Sequence, residues 1–143
     1  MDVSPFCNLP YTKTIRIIRH PVDSIYSYYV WVQNEKKQPV EYLIPRDFLL
    51  KAIQSWTIFQ TYWNQAKNVL TIRYEDLYND PVYHLRLVFN IIGYQITNTE
   101  IRRVLALHPP IGGLNKHFDH FTSEDLDLIQ QKLGVLMGQF GYD

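Results

Sequence analysis

The sequence predicts an α/β fold of reduced extent, a parallel sheet of about two strands with flanking helices. Two short β-rich runs, residues 14–19 and 69–73, are joined by a stretch whose apolar residues recur at helical spacing. Strands joined through helices pair in parallel, because a crossover returns the chain to the same end of the sheet. A proline stands at the start of a helical pattern after each run, Pro21 after the first and Pro81 after the second. Proline suits a first helical turn, where its missing N–H would have had no partner.

The elements follow in order. A Pro-containing lead (1–13) holds the single cysteine, Cys7. The strand over 14–19 uses Ile15, Ile17 and Ile18 and carries Arg19 to its end. His20 and Pro21 open a helix over 21–33, on which His20, Ser24, Ser27 and Trp31 share one face. A loop (34–45) includes the polar turn Glu35-Lys36-Lys37-Gln38, and a helix over 46–66 carries Trp56 and Trp63. After the strand at 69–73, Glu75 and Asp76 form an acidic turn, and Asp80-Pro81 opens a helix over 81–92. A helix over 97–107 leads into a Pro/Gly turn at 108–116. The last helix, 123–138, takes its N-cap from Thr122 with Asp125, or from Ser123, and repeats Leu126, Ile129, Leu133 and Leu136.

The chemistry concentrates in residues 15–31. A guanidinium at a strand tip, beside a helix N-terminus and a hydroxyl on that helix, suits a phosphate. Arg19 offers paired charged donors and Ser27 a third, each such bond contributing on the order of 1.5–3 kcal/mol. The plain alternative is structural, since a strand ending in Arg before Pro and a helix is common in α/β proteins. Glu75 and Asp76 read as helix-favouring residues that balance Arg73, not as an acid–base pair. Tyr74, read alone, is a half-buried aromatic closing a strand.

Arg19, Pro21, Asp23, Ser27, Tyr28 and Tyr29 resemble the 3′-phosphate-binding segment of the PAPS-dependent sulfotransferases, Arg-x-Pro-x-Asp followed by Ser-Tyr-Tyr. Val69 to Tyr94 is similar to the family's Arg-Tyr-Glu-Asp-Leu segment and its Pro-led helix, and Phe121 to Tyr142 to its closing helix and terminal Gly-Tyr. Trp56 and Trp63 sit as the family's aromatic helix does. The resemblance implies a P-loop-NTPase-like three-layer fold and transfer of a sulfuryl group from PAPS to an acceptor hydroxyl or amine, releasing PAP. It implies that Arg19 and Ser27 grip the 3′-phosphate and that Tyr74 lies at the adenine end. Ser24 is a lesser candidate on the same helix face.

The sequence departs from the family elsewhere. It has no Pro-x-Ser-Gly-Thr-Thr loop for the 5′-phosphosulfate and no histidine before Arg19 to serve as the family's base. Where the family closes an Arg-Lys-Gly loop over the 3′-phosphate, Gly112 matches the glycine but Pro110 and Ile111 take the basic positions. Lys116 and His108 are the nearby substitutes. Phe118 stands where the family's dimer motif has lysine. The catalytic residues therefore stay unassigned, and the 143 residues are expected to form a single partial domain, the C-terminal portion of a sulfotransferase, inactive alone. A further chain could supply the missing N-terminal half. The alternative is a non-catalytic remnant that binds 3′-phosphoadenosine nucleotides weakly or only packs with a partner; a kinase-like α/β protein would instead prefer ATP.

Lysine plus arginine and aspartate plus glutamate number 14 each, a net charge of zero that argues against nucleic-acid or anionic-membrane partners. The partners expected are a nucleotide donor and an acceptor of unknown class. Eleven tyrosines suit either a ring-lined pocket or an aromatic core. One cysteine is consistent with a cytoplasmic, reducing setting. No apolar run is long enough to span a bilayer. His117, Asp119 and His120 invite a metal, yet no further ligands are fixed by spacing, so a solvated loop and no metal are expected.

Overall fold

The computed structural model describes residues 13–109 and 112–142. The lead segment with Cys7, and Pro110 and Ile111 at the family's basic positions, lie outside the described residues. Of the described residues, 13–19 and 66–113 form one compact unit, and 20–65 and 114–142 form another.

The first unit holds the sheet. β1 (Thr14–Ile18) and β2 (Val69–Arg73) pair in parallel, with Thr14 opposite Val69 and Ile18 opposite Arg73. The parallel pairing expected from the sequence is observed, and the two strands make the whole sheet among the described residues. Ile18 and Ile72 are buried, while Ile17, the register partner of Ile72, is 54% exposed. Arg16 is buried instead, its Nε donating to Thr71 Oγ1 at 3.0 Å on the opposite strand, and burial lowers the guanidinium from its ordinary value.

β2 runs directly into α3 (Tyr74–Asn79), a six-residue helix where the sequence suggested only an acidic turn. Glu75 and Asp76 lie in its first turn, as helix-dipole preference favours, and Asp76 reaches Arg73 Nε at 3.7 Å. The Asp80 side chain then accepts the Tyr83 amide at 3.1 Å and caps α4 (Pro81–Ile91), with Pro81 in the first turn. α5 (Asn98–Leu107) starts on a reciprocal Thr97–Glu100 capping box. α4 packs on both α3 and α5.

The second unit is helical. α1 (Pro21–Glu35) extends two residues past the expected end before Lys37 turns at a φ of 54°. α2 (Arg46–Gln65) and α6 (Ser123–Gln139) pack on α1 and on each other. Val22, Ile25, Tyr29, Leu49, Ile53, Trp56, Ile129, Leu133 and Met137 are buried there. A 3₁₀ turn at Phe118–His120, absent from the sequence expectation, leads into Thr122, which caps α6 with Asp125 as predicted. No helix among the described residues is long and apolar enough to cross a membrane.

Candidate functional site

At the C-terminal end of β1 the chain places Arg19, and at the C-terminal end of β2 it places Tyr74. Parallel pairing brings the two ends together. The Arg19 guanidinium carbon lies 4.8 Å from the centre of the Tyr74 ring. Its Nη2 donates to the Gly113 carbonyl at 2.8 Å. Gly112 adopts a φ of 104°, and a Cβ added there would come 3.1 Å from the Tyr74 hydroxyl oxygen. A side chain at Gly112 would crowd the Tyr74 hydroxyl and sit in a backbone conformation that favours glycine. One glycine turn thus closes on the tyrosine while its next carbonyl takes the arginine. The Tyr78 ring, one helical turn along α3, lies 6.2 Å from that of Tyr74.

Ser27 and Ser24 belong to the helical unit, half-buried on α1. His20 is the N-cap of α1, its Nδ1 accepting the Val22 amide at 3.3 Å, while its carbonyl accepts from the Ser24 amide at 2.9 Å. Asp23, also in the first turn, is wholly buried. Its carboxylate accepts the main-chain amides of Asn115, Lys116 and His117 at 2.9, 3.1 and 3.2 Å. Ser27 lies on α1 as expected, Arg19 follows directly after the last residue of β1, and Tyr74, expected to close a strand, is instead the first residue of α3. Arg19 and Tyr74 are in contact, and Ser27 is described within its own unit.

The sulfotransferase domain family matches this chain over residues 5–108, well over half of its length. The chain belongs to the sulfotransferase domain family. No curated protein and no solved structure matches it. The matched span holds Arg19, Ser27 and Tyr74 together with both strands and α1 to α5, whereas the likeness of the closing helix to the family's rests on sequence alone. Sulfuryl transfer, which needs a nucleotide donor and an acceptor, is the chemistry of this family.

Elsewhere in this sulfotransferase-family chain, the histidines that suggested a metal pack against an aromatic ring. Tyr26 stacks on His120 with ring centres 3.9 Å apart and 7° between planes, and its ring is 5.0 Å from His117. His120 Nδ1 donates to the Tyr42 carbonyl at 2.7 Å, which leaves the proton on Nδ1 in the neutral ring. Among the described residues no group of three or more His, Cys, Asp or Glu side chains could hold a metal ion. Burial, then Tyr29 and Tyr42, push the Tyr26 hydroxyl above its ordinary value.

Two contacts, one in each unit, had no signal in the sequence. The Gly113 acceptor is a main-chain carbonyl, which any residue would carry. Asp23 was visible as part of the family motif, but an aspartate in a first helical turn reads as a dipole partner. Its three amide partners lie far along the chain.

Proposed function

We propose that this chain carries the 3′-phosphate and adenine side of a PAPS site, with Arg19 and Ser27 on the 3′-phosphate and Tyr74 at the adenine end. The reaction served moves the sulfuryl group from the phosphosulfate anhydride of PAPS to an acceptor hydroxyl or amine. The acceptor loses a proton and PAP departs. The contact between Arg19 and Tyr74 at the C-terminal ends of adjacent parallel strands carries this reading. Ligands of open α/β sheets bind at those strand ends. A planar cation beside an aromatic face fits an anionic nucleotide, one group for phosphate and the other for the base.

On this reading the 143 residues are part of one P-loop-like three-layer domain. Support comes from the family match, the parallel pair of strands, and the lack of a Pro-x-Ser-Gly-Thr-Thr stretch within the sequence. The 5′-phosphosulfate loop and the base are then contributed by residues outside this sequence. The single cysteine supports a cytoplasmic setting.

Thermal unfolding with and without PAP tests the assignment, because a ligand that binds only the folded state raises its stability. At most a small rise in midpoint with PAP is expected, exceeding that with ATP, and any rise disappears in Arg19→Ala and shrinks in Ser27→Ala. A PAP-induced rise that survives both substitutions overturns the site.

A further inference from the structure

Arginine has a long flexible stem, and freezing it costs up to about 2 kcal/mol in rotamer freedom, so a phosphate-gripping arginine gains from being held before its ligand arrives. The strand-bearing unit holds Arg19 from two directions. The Gly113 carbonyl takes Nη2 at 2.8 Å, and the guanidinium carbon lies 4.8 Å from the Tyr74 ring centre. A hydrogen bond alone leaves a guanidinium able to rotate about it. An aromatic face restricts that rotation, because the ring quadrupole attracts the cation.

Tyr74 is itself restrained. It is the first residue of α3, its ring lies 6.2 Å from that of Tyr78, and the Gly112 turn passes so close to its hydroxyl oxygen that a Cβ there would be 3.1 Å away. The same glycine turn thus passes beside the tyrosine hydroxyl and bonds the arginine.

We propose that Tyr74 is a positioning residue for Arg19, so that its ring sets the preference for a 3′-phosphorylated nucleotide over one lacking that phosphate. This rests on the donor-site reading of Arg19 and assigns Tyr74 a role separable from contact with adenine. The two roles differ in which ligand they affect. A ring that serves the base matters equally for adenosine 3′,5′-bisphosphate (PAP) and for 5′-AMP. A ring that holds Arg19 matters for PAP alone.

Calorimetric titration of the full chain with PAP and with 5′-AMP separates them. Tyr74→Leu is expected to weaken PAP about tenfold more than AMP, Tyr74→Phe to keep the wild-type ratio, and Tyr74→Leu to leave the ratio unchanged in an Arg19→Ala background. Fluorinated phenylalanines at position 74 keep the ring's shape while draining its face of negative potential, so they read the contact even if the leucine variant does not fold. The PAP-to-AMP ratio should fall with each added fluorine. Equal weakening of both ligands by Tyr74→Leu, or a ratio indifferent to fluorination, overturns the inference. If Arg19→Ala itself leaves the ratio unchanged, the donor-site reading fails.

Discussion

Asp23 accepts the main-chain amide of Asn115 at 2.9 Å through a carboxylate with no exposed surface. Asn115 sits at a φ of 53°, and the next two amides, of Lys116 and His117, follow onto the same carboxylate. Successive amides turned inward make a concavity suited to an anion. Here the chain fills that concavity with its own side chain. The result fixes the approach to the 3₁₀ turn Phe118–His120 without any regular structure between Leu114 and His117.

Removing the carboxylate leaves three amides to find water. Hydrogen bonds to a charged acceptor are each worth about 1.5–3 kcal/mol, but Asn115 and Lys116 are exposed enough for partial resolvation. Asp23→Ala is therefore expected to cost about 2–4 kcal/mol in urea unfolding, and Asp23→Asn less, since one oxygen still accepts. A loss below about 0.5 kcal/mol in Asp23→Ala would mean water replaces the carboxylate without penalty.

Gly112→Ala meets two obstacles, the φ of 104° and the Tyr74 hydroxyl oxygen 3.1 Å from the new methyl. Backbone strain of this kind costs roughly 1–3 kcal/mol. Combining it with Tyr74→Phe removes the contact and leaves the strain. The double variant should recover part of the lost melting temperature and never all of it; full recovery would show that the backbone at 112 relaxes freely.

The sheet makes an unusual prediction because Ile17 is 54% exposed while Ile18 is 2% exposed. Ile17→Thr should change stability by no more than about 0.5 kcal/mol. Ile18→Ala should cost about 2–5 kcal/mol, the usual range for truncating a buried isoleucine. Side chains alternate faces along a strand, so a one-residue slip in register would reverse the two results. Denaturant unfolding of the pair is a direct check of the Ile18–Arg73 alignment.

How much of this could be read from the sequence depends on how local each determinant is. Pro21, the Asp80-Pro81 pair and the Thr122–Asp125 box each specify a helix start within a few residues, and each helix begins there. The parallel pairing followed from helices lying between the strands. α3 escaped notice because Glu75 and Asp76 serve a turn and a short helix equally well. The inverted burial of Arg16 and Ile17 contradicts hydropathy, and the facing Thr71, which accepts from Arg16, is not a partner that hydropathy reveals. Each unit has a non-local anchor: Asp23 meets Asn115 across 92 positions in the helical unit, and Arg19 meets Gly113 across 94 in the strand-bearing unit. A main-chain partner at that distance leaves no trace in residue type. The motif could therefore nominate Arg19 and Tyr74, but not their contact.

Asp125 links helix capping to pH. Burial pushes its carboxyl up, yet the Thr122 hydroxyl, the Arg46 guanidinium and the Thr122 amide together bring it below the ordinary carboxylate value. A carboxylate depressed in the folded state contributes stability that is fully present above its unfolded value and is lost as pH falls through the folded value. Wild type should therefore exceed Asp125→Asn in stability near neutrality, and the gap should close as pH drops below the ordinary value of 3.8. The cap and the ion pair can be told apart. Half of the Arg46 side chain surface is exposed, at 50%, so salt and solvent screen that pair. Arg46→Met should cost less than about 1 kcal/mol and lose its effect in high salt. Thr122→Ala removes the N-cap of α6 and should cost about 1 kcal/mol at any ionic strength. If high salt erases the pH-dependent gap between wild type and Asp125→Asn, the ion pair rather than the cap holds the carboxylate down, and the order of the two contributions is reversed.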